Sequence, residues 1–393
     1  MELQPGTPQE AGVSPSGVQK ILERAAGWVD DGIHPSLVIL AARRGVIFLH
    51  EALGSLGTED PSSLVKLNTI FPLASISKPI TATAAMILVE DGLLGINRRV
   101  QEYIPEWEGE AKDQVIVQHL LTHTSGIDDE STWEVIEKKD SANTDTPPCE
   151  ETQHPTIHRW FNYGLDIPLA HKPGIEMSYS NYGYQILGEI IRRVCGQPLQ
   201  DFAAARIFEP LGMKDTWYSV PSSESHRVVK QLSDGPFADE DMDELQEIPS
   251  PSGGVFSTAF DIAKFCQMFI NQGNYGNERI LSPVTVKSMT RNQIPGIPAR
   301  YQDETFPEGA WGLGWSINAP YKGEIFGEPL LSRASYSHTG ATGALIWVEP
   351  SLEVIGVYLS VLLEKWDAVS HSTGVRKHWC ADRFINMTSA ACE

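Results

Sequence analysis

The sequence predicts an α/β protein whose sheet is built from both ends of the chain and whose middle is an inserted helical region. Three observations predict it. Hairpin-like apolar runs occur near each end, the residues from Thr81 to about Asn271 repeat mainly at helical spacing, and 393 residues suffice for a large core or two domains. The expected partition is a discontinuous sheet domain, 1–80 and 285–393, around a helical domain, 81–284, that carries acidic loop insertions.

The elements follow in chain order. Residues 14–32, "SPSGVQKILERAAGWVDDG", read as a helix capped by Ser16, with Val18, Ile21, Leu22, Ala25 and Trp28 on one face. "SLVILAARRGVIFLHEALG" then reads as a hairpin turning around Arg43, Arg44 and Gly45. The middle holds helical stretches such as "TATAAMILVEDG", "VQHLLTHTSG", "SNYGYQILGEIIRRVCG" and "AFDIAKFCQMFINQG". Two acidic, proline-punctuated stretches, 128–155 and 233–254, read as solvated insertions that could also shape a substrate entrance. "GALIWVEPSLEVIGVYLS" is a second hairpin, turning at Pro350-Ser351, and a last helical stretch covers about 365–387. No internal repeat is present.

Composition removes several classes of function. The formal net charge is −21, and no basic patch is present to displace counterions from phosphates, so neither nucleic acid nor an anionic membrane is an expected partner. The five cysteines, Cys149, Cys195, Cys266, Cys380 and Cys392, are odd in number and widely spaced, which predicts neither a disulfide framework nor a zinc site. The pairs His119/His123 and His154/His158 have zinc-like spacing, but no third ligand at usable spacing accompanies either. The N-terminus has no basic start and no apolar run, so the expected location is cytoplasmic. No cofactor is expected, and the sequence indicates no oligomeric state.

The chemistry concentrates in "LASISKPITA". Ser75 lies three residues before Lys78, and Pro79, which lacks an N–H, belongs near a helix start. Ser75 is therefore expected where free backbone N–H groups and the positive end of the helix dipole point. A serine there can attack a carbonyl, and a desolvated lysine one turn on can take its proton. The spacing alone is weak, because Ser63 and Lys66 repeat it. Two later stretches add Tyr179-Ser180-Asn181 and His338-Thr339-Gly340, the latter just before a strand. Each of these also has a decoy, Tyr275-Gly276-Asn277 and Ser372-Thr373-Gly374.

In that order and context, S-x-x-K, Y-x-N and x-T-G make the chain resemble the serine β-lactamase and penicillin-binding-protein superfamily. The match is to the branch of class C β-lactamases, D-alanyl-D-alanine peptidases, family VIII carboxylesterases and related acyltransferases. "HLLTHTSGI", "IFEPLGMKDTWY" and "SGGVFSTAFDIAKF" are also typical of it, and the likeness runs from about Gly12 to Ser360. It implies a β-lactamase-like fold, an antiparallel sheet flanked by helices plus an inserted all-helical domain, with the active site in the cleft. It implies Ser75 as nucleophile, Lys78 and Tyr179 as the proton-transfer pair, and Asn181 as a donor to the substrate carbonyl. The oxyanion hole would be the N–H groups of Ser75 and Ala341, with His338, Thr339 and Gly340 along the far wall. His338 stands where β-lactamases usually carry a lysine that helps hold a carboxylate.

The expected activity is a cofactor-independent serine hydrolase acting on a small or medium ester through an acyl-enzyme. β-Lactam hydrolysis, D-amino-acid peptide hydrolysis and acyl transfer to an alcohol are the alternative reactions. A catalytically silent binding protein on the same fold is the non-enzyme alternative, and its mark would be loss of the serine, lysine or tyrosine. Trp311 and Trp315 are read as core residues, with an acyl pocket as the other use.

Overall fold

A computed structural model describes residues 1–57, 63–230, 242–301, 304–319, 328–361 and 379–393. Its main sheet has seven strands: β1 (Gln4–Pro5), β2 (Ser36–Arg43), β3 (Val46–Gly54), β4 (Ser316–Ile317), β5 (Tyr336–Thr339), β6 (Leu345–Glu349) and β7 (Val354–Ser360). Their spatial order is β1-β3-β2-β7-β6-β5-β4. The two hairpins are β2–β3 and β6–β7. The first turns at Arg44 and Gly45, both with positive φ (52° and 78°), as a two-residue turn matched to strand twist requires. The hairpins meet where β2 and β7 pair antiparallel, from Arg43 opposite Val354 to Leu37 opposite Ser360. The sheet is thus assembled from both chain ends. All neighbours are antiparallel except β1, which runs parallel to β3 at one edge.

Period-two alternation decides what each face covers. In β2, Leu37, Ile39 and Ala41 face one apolar cluster while Val38, Leu40 and Ala42 face another. The first face is covered by helices α1 (Pro15–Asp30) and α7 (Ala381–Ala390), packed through Ile21, Trp28 and Phe384. On that face Trp347 lies opposite Gly356, and a β-carbon at Gly356 would fall 1.9 Å from the indole ring. Only glycine leaves room for it. Ser14, rather than Ser16, caps α1. Its Oγ accepts from the Gly17 N–H at 3.3 Å, because Pro15 takes the first helical position and moves the cap back to the residue before it.

The opposite face carries the larger cluster. Here the sheet meets α2 (Ser77–Glu90), α3 (Asp129–Ser141), α4 (Pro155–Gly164), α5 (Tyr182–Cys195) and α6 (Ala259–Ile270), directly or through one another. Leu40 and Ile346 of the sheet share one core with Ala84, Ile186 and Phe265 of the helices. That core is continuous across 80/81 and 284/285: α2 spans the first position, and α6 packs against β7.

The sequence predicts a solvated insertion at 128–155, but this stretch begins with α3. Asp128 caps the helix by accepting from the Ser131 N–H at 3.2 Å, and Thr132 and Ile136 are buried. Its charges suit the helix dipole, with Asp129 and Glu130 in the first turn and Lys138 and Lys139 in the last. The narrow apolar face conceals the helix from a periodicity reading. Of 233–254, residues 242–254 are described; they include a helical turn, Met242–Leu245, and buried Ile248. Residues 365–378 of the expected last helix, and the Ser372-Thr373-Gly374 decoy, lie outside the described residues. The five cysteines are free thiols, and among the described residues no helix is long and apolar enough to cross a membrane.

Candidate active site

The site is built where α2 begins. A 3-10 turn, Ala74–Ile76, leads into α2 and carries Ser75. Ala74 is held at φ 46°, a left-handed conformation that an alanine adopts only when its surroundings impose it. The surroundings are visible. The Ser77 hydroxyl donates to the Ala74 carbonyl at 2.7 Å and accepts from the Val255 N–H at 2.9 Å. Phe71–Pro72 pairs antiparallel with Phe256–Ser257, and the Thr81 hydroxyl donates to the Pro251 carbonyl at 2.7 Å. The "SGGVFS" segment therefore fastens the turn that presents Ser75. On the other side, Thr342 Oγ1 donates to the Pro72 carbonyl at 2.9 Å, and a β-carbon on Gly340 would sit 2.3 Å from the Leu73 carbonyl oxygen. The end of β5 is pressed against the chain two residues before Ser75, and glycine at 340 is what permits it.

Lys78 is fully buried, and its Nζ lies 3.1 Å from Ser75 Oγ, 2.7 Å from Asn181 Oδ1 and 3.1 Å from the Ser252 carbonyl oxygen. These partners are not equivalent. The amide oxygen and the backbone carbonyl can only accept, whereas the serine hydroxyl can also donate. In the neutral amine the two N–H groups go to Asn181 and Ser252, and the lone pair is left facing Ser75. Burial lowers the Lys78 pKa from 10.5 to about 7, against the opposing pull of the Asp129 carboxylate. The neutral form is thus accessible near neutral pH, and its geometry suits removal of the serine proton.

Tyr179 lies beneath this amine, with its ring centroid 4.6 Å from Nζ. Its ring stacks on His123 at 4.4 Å and stands edge-on to Trp311 at 6.0 Å. His123 is buried at φ 58°; its carbonyl accepts from the Ser178 N–H and its Nδ1 from the Ser180 N–H at 3.1 Å. Burial first, then Lys78 and His338, hold the His123 pKa well below the usual imidazole range, so it stays neutral and acts as a platform. His338 is also buried, between Tyr179 and Trp311, and its Nδ1 donates to the Thr339 carbonyl at 2.8 Å. Trp311 and Trp315 are both core residues. Trp315 packs on Phe269 and Tyr336, and Trp311 on His123 and His338.

Beside Ser75 opens a cavity of about 270 Å³. Ser75, Asn181 and Ala341 line it, whereas Tyr179, His338, Thr339 and Gly340 do not. Its remaining wall includes Trp160, Leu245, Ile248 and Phe256, and among the described residues none that lines it carries a formal charge. Leu245 and Ile248 come from the acidic stretch 233–254, so that insertion contributes apolar side chains to the cavity.

The decoys fall elsewhere. Lys66 is exposed, and Tyr275 belongs to a two-stranded hairpin, where its hydroxyl accepts from the Leu3 N–H at 3.3 Å. No group of three or more metal-ligating side chains occurs among the described residues. Sequence reasoning misses Asp129, His123 and the Ser252 carbonyl. Asp129 looks like an ordinary helix-start acid, His123 like half of a histidine pair, and a carbonyl leaves no mark in a sequence.

A curated Salmonella agona (strain SL483) protein described as "Putative D-alanyl-D-alanine carboxypeptidase" is 27% identical over 366 residues, spanning 84% of this chain and 80% of that protein. Solved structures similar in fold include EstCE1, a hydrolase with promiscuous acyltransferase activity, with TM-score 0.71, 19% identity, and coverage of 96% of this chain and 98% of that one. A family VIII carboxylesterase gives TM-score 0.70 at 20% identity, covering 97% of this chain and 98% of that one. The Beta-lactamase family model matches residues 23–377. With the serine-hydrolase fold in place and the match running over most of its length, the chain belongs to the β-lactamase family.

Proposed function

We propose that the protein is a carboxylesterase that works through an acyl-enzyme on Ser75. The observation that supports this best is the absence of charge among the described residues that line the cavity beside Ser75. A carboxylate next to the reacting carbonyl, as in most β-lactams and in a peptide C-terminus, would meet no cation among its described lining residues, whereas an ester with an apolar acyl group would find Leu245, Ile248, Phe256 and Trp160. Two fold neighbours, a family VIII carboxylesterase and a hydrolase with promiscuous acyltransferase activity, support this reading.

In the first half-reaction the Ser75 hydroxyl proton passes to the neutral Lys78 amine as Oγ attacks the ester carbonyl. The developing oxyanion is held by the N–H groups of Ser75 and Ala341. The carbonyl-to-alkoxy C–O bond then breaks, and the alkoxide leaves with that proton, delivered from Lys78 directly or by way of Tyr179. In the second half-reaction water adds to the acyl-enzyme, gives one proton to the same relay and releases the carboxylic acid, while Ser75 Oγ recovers a proton. Asn181 keeps a second N–H beyond the one it gives to Asp129, which suits it to the acyl-side carbonyl or ester oxygen.

The test compares kcat/KM for p-nitrophenyl butyrate, a chromogenic cephalosporin and a peptide ending in D-Ala-D-Ala, in wild type and in His338→Lys. Butyrate is expected to be preferred by wild type. A wild-type preference for the cephalosporin or the peptide overturns the esterase reading, and product ester in place of acid when an alcohol is added assigns acyl transfer instead.

A further inference from the structure

One carboxylate in the site has no role in the chemistry described so far. Asp129, the first residue of α3, places Oδ1 3.0 Å from the Ser180 hydroxyl and 2.9 Å from the Tyr182 N–H, and Oδ2 2.8 Å from Asn181 Nδ2. It thus accepts from three consecutive residues, 180–182, immediately after Tyr179 and at the start of α5. Asn181 is gripped from both sides, with its Nδ2 turned to Asp129 and its Oδ1 to Lys78.

We propose that Asp129 is a positioning residue that locks the Asn181 amide with its oxygen toward Lys78, and so reserves the Lys78 lone pair for Ser75. This rests on the esterase reading of Ser75 and Lys78. The physical reason lies in what the alternative amide orientation would do. If Asn181 turned by 180°, its NH2 would face the lysine, and an N–H donated to the neutral amine would occupy the lone pair that must receive the serine proton. Only an acceptor at 129 penalises that flip. Asp129 accepts from Asn181. Burial raises its carboxyl pKa above the ordinary carboxylate value, opposed by the hydrogen bonds from Tyr182, Ser180 and Asn181 and by the charge of Lys78, and in its ionised form it has no donor to offer in return. The same carboxylate anchors the 180–182 turn, and with it the direction in which Tyr179 enters the site.

Charge supplies a second effect. Asp129 raises the Lys78 pKa, although burial dominates and leaves it at about 7. The other titratable groups facing Lys78 are Tyr179 and Tyr184, whose rings lie 4.6 and 5.6 Å from Nζ, and the histidines His123 and His338 packed against Tyr179. Burial raises the Tyr184 pKa and lowers that of His123, so both are neutral where Lys78 titrates. Asp129 is then the carboxylate whose removal would move the Lys78 titration.

Asp129→Asn is the direct test. The new amide can still accept from Ser180 and Tyr182 through its oxygen, but it sets an NH2 against the Asn181 NH2 and drives the flip. The rate constant for fluorophosphonate labelling of Ser75, read by intact mass from pH 5 to 9, is compared in wild type, Asp129→Asn, Asp129→Glu and Glu130→Gln, with thermal melting of each. Asp129→Asn should label about 10- to 100-fold more slowly at its optimum, the scale on which misplaced catalytic groups act, and its acid limb should lie at lower pH than in wild type. Asp129→Glu keeps the charge but displaces its oxygens, so it should be slower with a nearly unmoved limb. Glu130→Gln, an exposed neighbour, should match wild type. A wild type labelled at Ser75 together with an Asp129→Asn that folds and labels with the wild-type rate and limb overturns the positioning role and leaves the Ser75 reading intact. The same holds if Asp129→Asn fails to fold while Asp129→Glu labels at the wild-type rate. If wild type is not labelled at Ser75, the underlying reading fails first and the positioning role falls with it.

Discussion

Replacing Lys78 by methionine should change the pH dependence of folding in a calculable way, whatever the substrate proves to be. The lysine is fully buried, and its pKa falls from 10.5 to about 7 because the interior penalises the ammonium more than Asp129 stabilises it. At about 1.36 kcal/mol per unit, that shift means the charged form costs the fold on the order of 5 kcal/mol. Between the two pKa values the unfolded chain binds the proton and the folded chain does not, so wild-type stability rises with pH across roughly 7 to 10.5. Methionine fills a similar volume and does not titrate, and the lost contacts to Ser75, Asn181 and Ser252 add an offset that does not depend on pH. The measurement is chemical denaturation of both proteins at pH 6, 7, 8 and 9. The wild-type unfolding free energy minus that of Lys78→Met should rise by about 2 kcal/mol from pH 7 to 9. A difference that stays constant from 7 to 9 would mean that Lys78 is charged in the folded protein throughout that range, and it could not then serve as the base at neutral pH.

The remaining expectations bear on individual side chains. Tyr179→Phe should lower kcat by about 10²-fold, the scale of a lost acid–base group, while Tyr275→Phe, in its separate hairpin, should leave kcat unchanged; equal effects would remove Tyr179 from the proton relay. Gly340→Ala should lower both Tm and kcat/KM, because the added methyl meets the Leu73 carbonyl at 2.3 Å and must displace either β5 or the Ser75 turn; overpacking of this kind costs about 1–3 kcal/mol, and a variant as stable and active as wild type would contradict the close approach. Ile248→Trp should narrow the 270 Å³ cavity and raise KM for p-nitrophenyl butyrate and longer esters far more than for the acetate; a uniform effect along the series would place the acyl group elsewhere.

The parts of the fold legible in the sequence are those with local causes. The hairpins were readable because apolar runs flank Arg44-Gly45 and Pro350-Ser351, and the start of α2 because Pro79 lacks an N–H. Of the residues that S-x-x-K, Y-x-N and x-T-G point to, the fold sets Ser75, Asn181 and the Tyr179 ring around the Lys78 amine and Gly340 against Leu73. What was hidden depends on tertiary partners. Helix α3 has too narrow an apolar face to show a period, and Asp129 gains its meaning only when Ser180, Asn181 and Tyr182 arrive 51 to 53 residues later. The stretch 233–254 reads as acidic and solvated, since its few apolar residues carry no period, yet Leu245 and Ile248 line the cavity. The cap of α1 lies two residues before Ser16, at Ser14, because Pro15 takes the first helical position.

The central claim is that Ser75 is a nucleophile made reactive by a neutral Lys78. The most direct measurement is intact mass after treatment with a fluorophosphonate at pH 8, followed by peptide mapping, in wild type, Ser75→Ala, Lys78→Met and Ser63→Ala. A single adduct on Ser75 is predicted in wild type and in Ser63→Ala. None is predicted in Ser75→Ala, and labelling of Lys78→Met should be slower by about 10²-fold or more. An adduct that persists in Ser75→Ala, maps to Ser63, or forms at the wild-type rate in Lys78→Met would contradict the claim.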